Sequence, residues 1–432
     1  MSRRNREKRA AKQKNRRRET TERKRESFDP GPERAHLREL LVEALRDAAT
    51  CPDGDAQGHA SELVGEFAAY PGDLDLAADA AMADSIREAW EAGWSPSDLY
   101  ELARRKLEPS AIAYLAEAIL LESQRYPVTA LHPRWRADLA DISSGVASDA
   151  RTPQMWRWAA LNAVDRDAAL TVVLRVLALL ATLPALEPLL PLPGAWKQTV
   201  TTAGEIDQKA LSRVRALLAK AEGTEFPEEA EALSAKAQEL MSRYSLHRAV
   251  AEHDRGQAPV AVARRIWIES PYAGAKAVLV QAVASANRCR TVWTEKFGFV
   301  TVVGAETELN AVELLTTSLL VQANRAMLAA GRQVSSRGHA RTRSFRQSFL
   351  VAYATRIGER LGTTNATVTA EVDSSRLLPV LATHNRAVDE LTDRLFPSMV
   401  QRSISVSNRA GWGAGRAAAD LARFDVHGAI AG

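Results

Sequence analysis

EIDQKALSRVRALLAKAEGTEFPEEAEALSAKAQELMSRYSLHRAV, residues 205–250, is the stretch on which the reading of the fold turns. Ile206, Ala210, Val214, Leu217, Leu218 and Ala221 recur at three- and four-residue steps, which places them on one face of a helix. Gly223 ends that pattern. A second run, Ala230, Leu233, Ala237, Leu240, Met241 and Tyr244, has the same spacing, with Pro227 in the first helical turn, where a missing N–H costs no hydrogen bond. The link between them is short, so the two amphipathic helices are expected to fold back as an antiparallel hairpin.

The order of features here resembles domain-of-unknown-function family 2786. It is carried by Lys209 ahead of Leu217-Leu218, by Pro227-Glu-Glu-Ala230, and by Ala237-x-x-Leu240-Met241-x-x-Tyr244-x-Leu246. The resemblance implies the hairpin but no activity, because the family has none established. Acidic residues gather at the start of the second helix (Glu225, Glu228, Glu229, Glu231) and basic ones towards its end (Lys236, Arg243, His247, Arg248), as the helix dipole favours. His247 and His253 are six residues apart and fit no helical zinc spacing, so no metal is expected there.

Before the hairpin the chain changes character twice. Thirteen Lys and Arg against four Glu up to Glu26 give +9, whereas the whole chain carries +4, so the remainder carries −5. The high isoelectric point of about 9.1 therefore belongs to the first residues. Residues 1–31 read as a disordered basic tail, too poor in apolar side chains to bury a core and able to neutralise phosphates. Residues 32–195 read as a helical domain. Its most distinctive piece is Trp90-Glu-Ala-Gly-Trp94-Ser-Pro-Ser-Asp98, where Ser95 is placed to cap a helix beginning with Pro96, and Trp90 and Trp94 flank a turn at Gly93 as core residues. This piece resembles actinobacterial members of the same family. Ala168 to Leu183 is apolar but interrupted by Arg175 and too short to span a bilayer, so it reads as a buried helix. Pro184, Pro188, Pro191 and Pro193 then make a stiff connector. With two widely spaced cysteines, Cys51 and Cys289, and no signal peptide or membrane span, a reducing cytoplasm is the expected setting.

After the hairpin (residues 204–252) the period becomes two. Ala263 to Glu269, Arg290 to Glu295 and Phe299 to Val303 read as strands, the last two joined through Lys296-Phe297-Gly298. A helix carrying Val278, Leu279, Ala282, Val283 and Ala286 lies between the first two. A long helix from about Thr307 buries Leu309, Val312, Leu315, Leu319 and Met327. Another begins at a capping box of Ser344 and Gln347 and repeats Phe345, Phe349, Tyr353, Ile357 and Leu361 every fourth residue. The chain is thus α+β: a mainly α-helical N-terminal region and helical hairpin, then a small α+β domain at 260–362 with a three-stranded sheet and helices against one face, and a C-terminal extension at 363–432. Val303-Gly304 before the long helix and Ser344-Phe-Arg-x-Ser-Phe resemble the companion domain, family 7168.

The strongest candidate site is Gly331 to Arg346, an acid-free segment holding Arg332, Arg337, Arg341, Arg343 and Arg346 with His339. Guanidinium groups in such a segment suit phosphate contacts. Gly411, Gly413 and Gly415 after Ser403-Ile-Ser-Val-Ser read as a strand, glycine loop and helix, but Arg416 breaks the dinucleotide fingerprint, and close helix packing is the favoured role of the glycines. The eight histidines show no metal motif, and Asp373, Ser374, His384 and Asp389 supply the types of a hydrolytic triad without a recognisable motif. The expected function is non-enzymatic nucleic-acid binding, to DNA or RNA, through phosphates, with no catalytic residue, metal or cofactor and no membrane partner. The alternatives are a scaffold docking another protein through the helical half, and a hydrolase or nuclease of unrecognised type.

Overall fold

The computed structural model describes residues 32–143, 152–197, 212–220, 227–335, 343–370, 374–399 and 408–421. The basic tail lies outside them. By contact the chain divides into two compact units, residues 1–198 and 199–432.

The first unit is all helical among its described residues: α1 (Pro32–Thr50), α2 (Ala56–Glu66), α3 (Pro71–Glu91), α4 (Pro96–Lys106), α5 (Pro109–Ser123), α6 (Pro133–Ser143), α7 (Gln154–Asn162) and α8 (Arg166–Ala181). Prolines start five of these helices, where they cost no hydrogen bond. The apolar α8, capped by Asp165, is the hub and packs against α1, α2, α3, α5 and α7. Leu170, Val173, Leu174 and Val176 are fully buried there. Each such side chain contributes on the order of 2 kcal/mol.

The expected cap is present: Ser95 and Asp98 form a reciprocal capping box on α4. Trp90 and Trp94 are both core residues. Trp90 meets Trp135 edge to face at 5.1 Å, and the Trp94 Nε1 donates to the Pro184 carbonyl at 2.9 Å. Gly93 between them has φ +87°, and a β-carbon there would stand 2.2 Å from the Leu186 carbonyl oxygen. The proline-rich segment is therefore held against the turn between α3 and α4, with Leu186 N donating to Ala92 O at 2.8 Å.

The second unit contains the helical residues 212–220, called α9, followed by α10 (Pro227–Asp254), β1 (Val262–Trp267), α11 (Ala273–Ala286), β2 (Arg290–Thr294), β3 (Phe299–Gly304), α12 (Glu306–Ser335), α13 (Arg343–Ala370), α14 (Ser374–Leu395) and α15 (Arg409–Leu421). Val214 and Leu218 of α9 and Ala237 and Met241 of α10 share one buried cluster, while Leu217 and Leu240 are half-buried at its margin. Ile206, Ala210, Ala221 and the side chain of Ala230 fall outside the described residues.

The strands form an antiparallel sheet in the order β1-β3-β2. One expectation needs correcting. Alternate residues of a strand point to opposite faces, yet all six residues of β3 are buried, so both faces of the central strand are covered and not one. Helices α11, α12 and α14 all contact β3. The helical periodicities hold: Leu309, Val312, Leu315 and Leu319 on α12, and Phe345, Phe349, Tyr353, Ile357 and Leu361 on α13, are each no more than 1% exposed. Helix α13 begins at Arg343, one residue before the expected cap, and Ser344 lies inside it.

Candidate phosphate-binding face

The arginine-rich segment is more helical than its sequence suggests. Helix α12 continues to Ser335, so Gly331 and Arg332 sit in its last turns, and α13 has already begun at Arg343. Arg337, His339 and Arg341, and the side chain of Arg332, fall outside the described residues. Of the five candidate arginines the structure thus places two guanidinium groups, Arg343 exposed at the start of α13 and Arg346 half-buried in its first turn.

A residue distant in sequence joins them. The glycines at 411–415 form no loop; they belong to α15, which Asn408 caps by accepting from Gly411 N at 2.8 Å. Gly411 approaches the carbonyl of Phe345 and Gly415 that of Phe349, so α15 lies along α13 in the same direction. Asn408 N also donates to Ser348 Oγ at 3.2 Å. The first turns of the two helices therefore stand side by side, and Arg409, exposed, opens the second of them. Neither first turn contains an acid. The segment Ser403-Ile-Ser-Val-Ser lies outside the described residues.

The acids of this helix pair are elsewhere and occupied. Glu359 accepts from Arg356 and Arg416, and Asp420 accepts from Arg356. The Arg356 and Arg416 bonds hold the Glu359 carboxyl below the usual range. Arg360 is buried and donates to the Ala419 carbonyl at the end of α15. Arg343, Arg346 and Arg409 have no ion pair with a described residue. The two helix dipoles put partial positive charge at the same end as these three guanidinium groups, an arrangement suited to a polyanion. Sequence reasoning missed Arg409 because only the packing of α15 brings it beside the first turn of α13. The closely spaced glycines were the one available signal.

A second polar centre is interior. Glu308, 3% exposed, accepts from Arg288 Nε at 2.9 Å, from Ser245 Oγ at 3.2 Å and from Ala305 N at 3.2 Å. His384 Nε2 lies 3.8 Å from Glu308 Oε2, the oxygen that accepts from Ala305 N. Beside it Gln238 and Ser242 donate to Asn365 Oδ1 at 3.0 and 2.6 Å, tying α10 to α13. Of the triad types, the two whose side chains are described do not meet: His384 faces Glu308, and Asp389 instead accepts from Arg290 at 2.7 Å. Asp373 and the side chain of Ser374 fall outside the described residues. Burial and the Glu308 charge push the Cys289 thiol well up, so it stays protonated and acts as packing.

The seam between α10 and the rest of this unit lies in the segment that is similar to a known family. Residues 209–248 match the family described as Protein of unknown function (DUF2786). The DUF2786 match covers α9 and most of α10, whose Gln238, Ser242 and Ser245 carry polar contacts to α13, Arg288 and Glu308. No curated protein and no solved structure matches the chain. Among the described residues no helix is long and apolar enough to cross a membrane.

Proposed function

We propose that this protein binds nucleic acid, DNA or RNA, mainly through its phosphates and without catalysing a reaction. The observation that carries the reading is the pairing of two parallel helix N-termini, with Arg343, Arg346 and Arg409 at that end and both acids of the helix pair engaged elsewhere. Arg332, Arg337 and Arg341 precede this face in sequence, and the thirteen basic residues of the tail add sequence-independent affinity. The test is a salt titration of binding to a short duplex and a single strand, using protein that lacks the first 26 residues. Salt-dependent binding by that truncated protein supports the reading. Its absence for both DNA and RNA overturns the role of the helix face and leaves only tail electrostatics.

A second reading is a protein-docking scaffold. It is favoured by Trp156 and Leu161, large apolar side chains of α7 that are 52% and 72% exposed. Loss of partner capture with Trp156→Ala, alongside unchanged nucleic-acid binding, is the outcome that supports it. We further propose that residues 260–362 correspond to the companion domain of family 7168 and that the chain is of actinobacterial type. The support is the Val303-Gly304 and Ser344-Phe-Arg-x-Ser-Phe pattern and the Trp90 to Asp98 segment.

A further inference from the structure

The turn between α1 and α2 gathers three side chains that their spacing in sequence does not pair. The Sγ of Cys51, a carboxylate oxygen of Asp53 and a ring nitrogen of His59 all lie within 4.8 Å of one another. The backbone builds this arrangement. Gly54, at φ +69°, lets the chain reverse, and its N–H donates to Cys51 O at 3.2 Å. Asp55 N donates to Asp53 Oδ1 at 3.0 Å, which holds that carboxylate on the inside of the turn. Asp55 then caps α2 by accepting from Gly58 N at 2.9 Å, and a β-carbon on Gly58 would stand 2.3 Å from the capping carboxylate. With α2 started in this way, His59 lies in its first turn with Nε2 at 3.1 Å from both oxygens of Asp53. Its other nitrogen, Nδ1, is 3.7 Å from Glu62 Oε2.

The Asp53 carboxylate thus pairs with His59 and also accepts from the Cys51 thiol, which brings a sulfur, a nitrogen and a carboxylate oxygen to one point. A thiolate, an imidazole and a carboxylate together form the donor set of borderline divalent cations, of which zinc is the representative; magnesium and calcium prefer all-oxygen sites. A tetrahedral zinc, with bonds of about 2.0–2.3 Å, holds its ligand atoms roughly 3.3–3.7 Å apart. The His59 nitrogen and the Asp53 oxygens stand 3.1 Å apart and the Cys51 sulfur within 4.8 Å of both, so rotation of the side chains on a fixed backbone can close the set on an ion. Cys51 and His59 are half-buried and Asp53 is exposed, so an ion has a path in.

We propose that Cys51, Asp53 and His59 form a zinc-class metal site, with Glu62 orienting His59 from its second nitrogen and a fourth position left open. Binding displaces the Cys51 thiol proton, and the metal takes the thiolate lone pair and the lone pair of the neutral His59 Nε2.

Cobalt(II) is the probe, because a thiolate ligand gives it a charge-transfer band in the near ultraviolet. Full-length, tag-free protein is stripped with a chelator and titrated with cobalt at about pH 7.5, where metal binding can displace the thiol proton. One cobalt per chain, with a thiolate band that zinc then abolishes, is the expected result. Cys51→Ser removes the band, His59→Gln weakens binding at least about tenfold, and Cys289→Ser changes neither. Unaltered circular dichroism verifies that each variant is folded. Zinc protection of Cys51 from alkylation in the unmutated protein, read by peptide mass mapping, gives the same answer without a variant. Absence of the thiolate band, a band that survives Cys51→Ser, or Cys51 alkylated equally with and without zinc overturns the site.

Discussion

A β-carbon placed on Gly415 would stand 2.2 Å from the carbonyl oxygen of Phe349, so α15 and α13 meet backbone to backbone at this point. Gly411 makes the same approach to Phe345, whereas a β-carbon on Gly413 would meet nothing within 4 Å. Gly415→Ala is therefore expected to force the helices apart and cost about 2–3 kcal/mol, with Gly411→Ala close behind. Gly413→Ala should instead stabilise by roughly 0.5–1 kcal/mol, because alanine loses less backbone entropy in a helix. Urea denaturation of the three variants checks the contrast; equal effects at 413 and 415 would refute the close approach.

The same packing sets the basic face. In protein without its first 26 residues, replacing Arg343, Arg346 and Arg409 by Ala should lower the slope of log K against log salt by about 2–3. Stability should change by no more than roughly half a kcal/mol, since none of the three is paired with a described acid. A triple variant with its parent's salt slope would remove this face from consideration.

Glu308 holds the half-buried Arg288 side chain, Ser245 and the Ala305 N–H together. Glu308→Ala should cost about 3–5 kcal/mol, because the guanidinium of Arg288, only 17% exposed, is left without its counter-charge. Thermal melting of Glu308→Ala beside the conservative Glu308→Gln checks this. Gln retains an acceptor and should lose less, and equal losses would show that charge is not what matters there.

Burial raises the Asp138 carboxyl to about 6, against the pull of Arg134. A carboxylate with a raised folded pKa binds more protons folded than unfolded between about 4 and 6, so its contribution to stability falls as pH rises through that window and stays lost above it. Asp138→Asn should match the parent near pH 4 and exceed it by about 1–3 kcal/mol near pH 7. Denaturant midpoints at the two pH values test the sign. A variant less stable than the parent at neutral pH would mean that the ion pair with Arg134 outweighs desolvation.

What the sequence alone determined was everything set by local periodicity and caps. The four-residue repeat from Phe345 to Leu361 identifies a buried helix face, because side-chain direction repeats at 3.6 residues whatever the helix packs against, and the β-branched and aromatic run 299–303 identifies a strand. The Ser95–Asp98 box and the stop at Gly93 are likewise local chemistry. Only the tertiary structure decided which of these faces meet. Arg409 stands beside the first turn of α13 because two glycines let α15 lie against that helix; Glu308 faces His384 because of where α14 packs on β3; and Cys51 meets His59 because a left-handed Gly54 reverses the chain. Such encounters depend on close packing between segments distant in the chain or on one backbone angle, and neither leaves a period in the sequence.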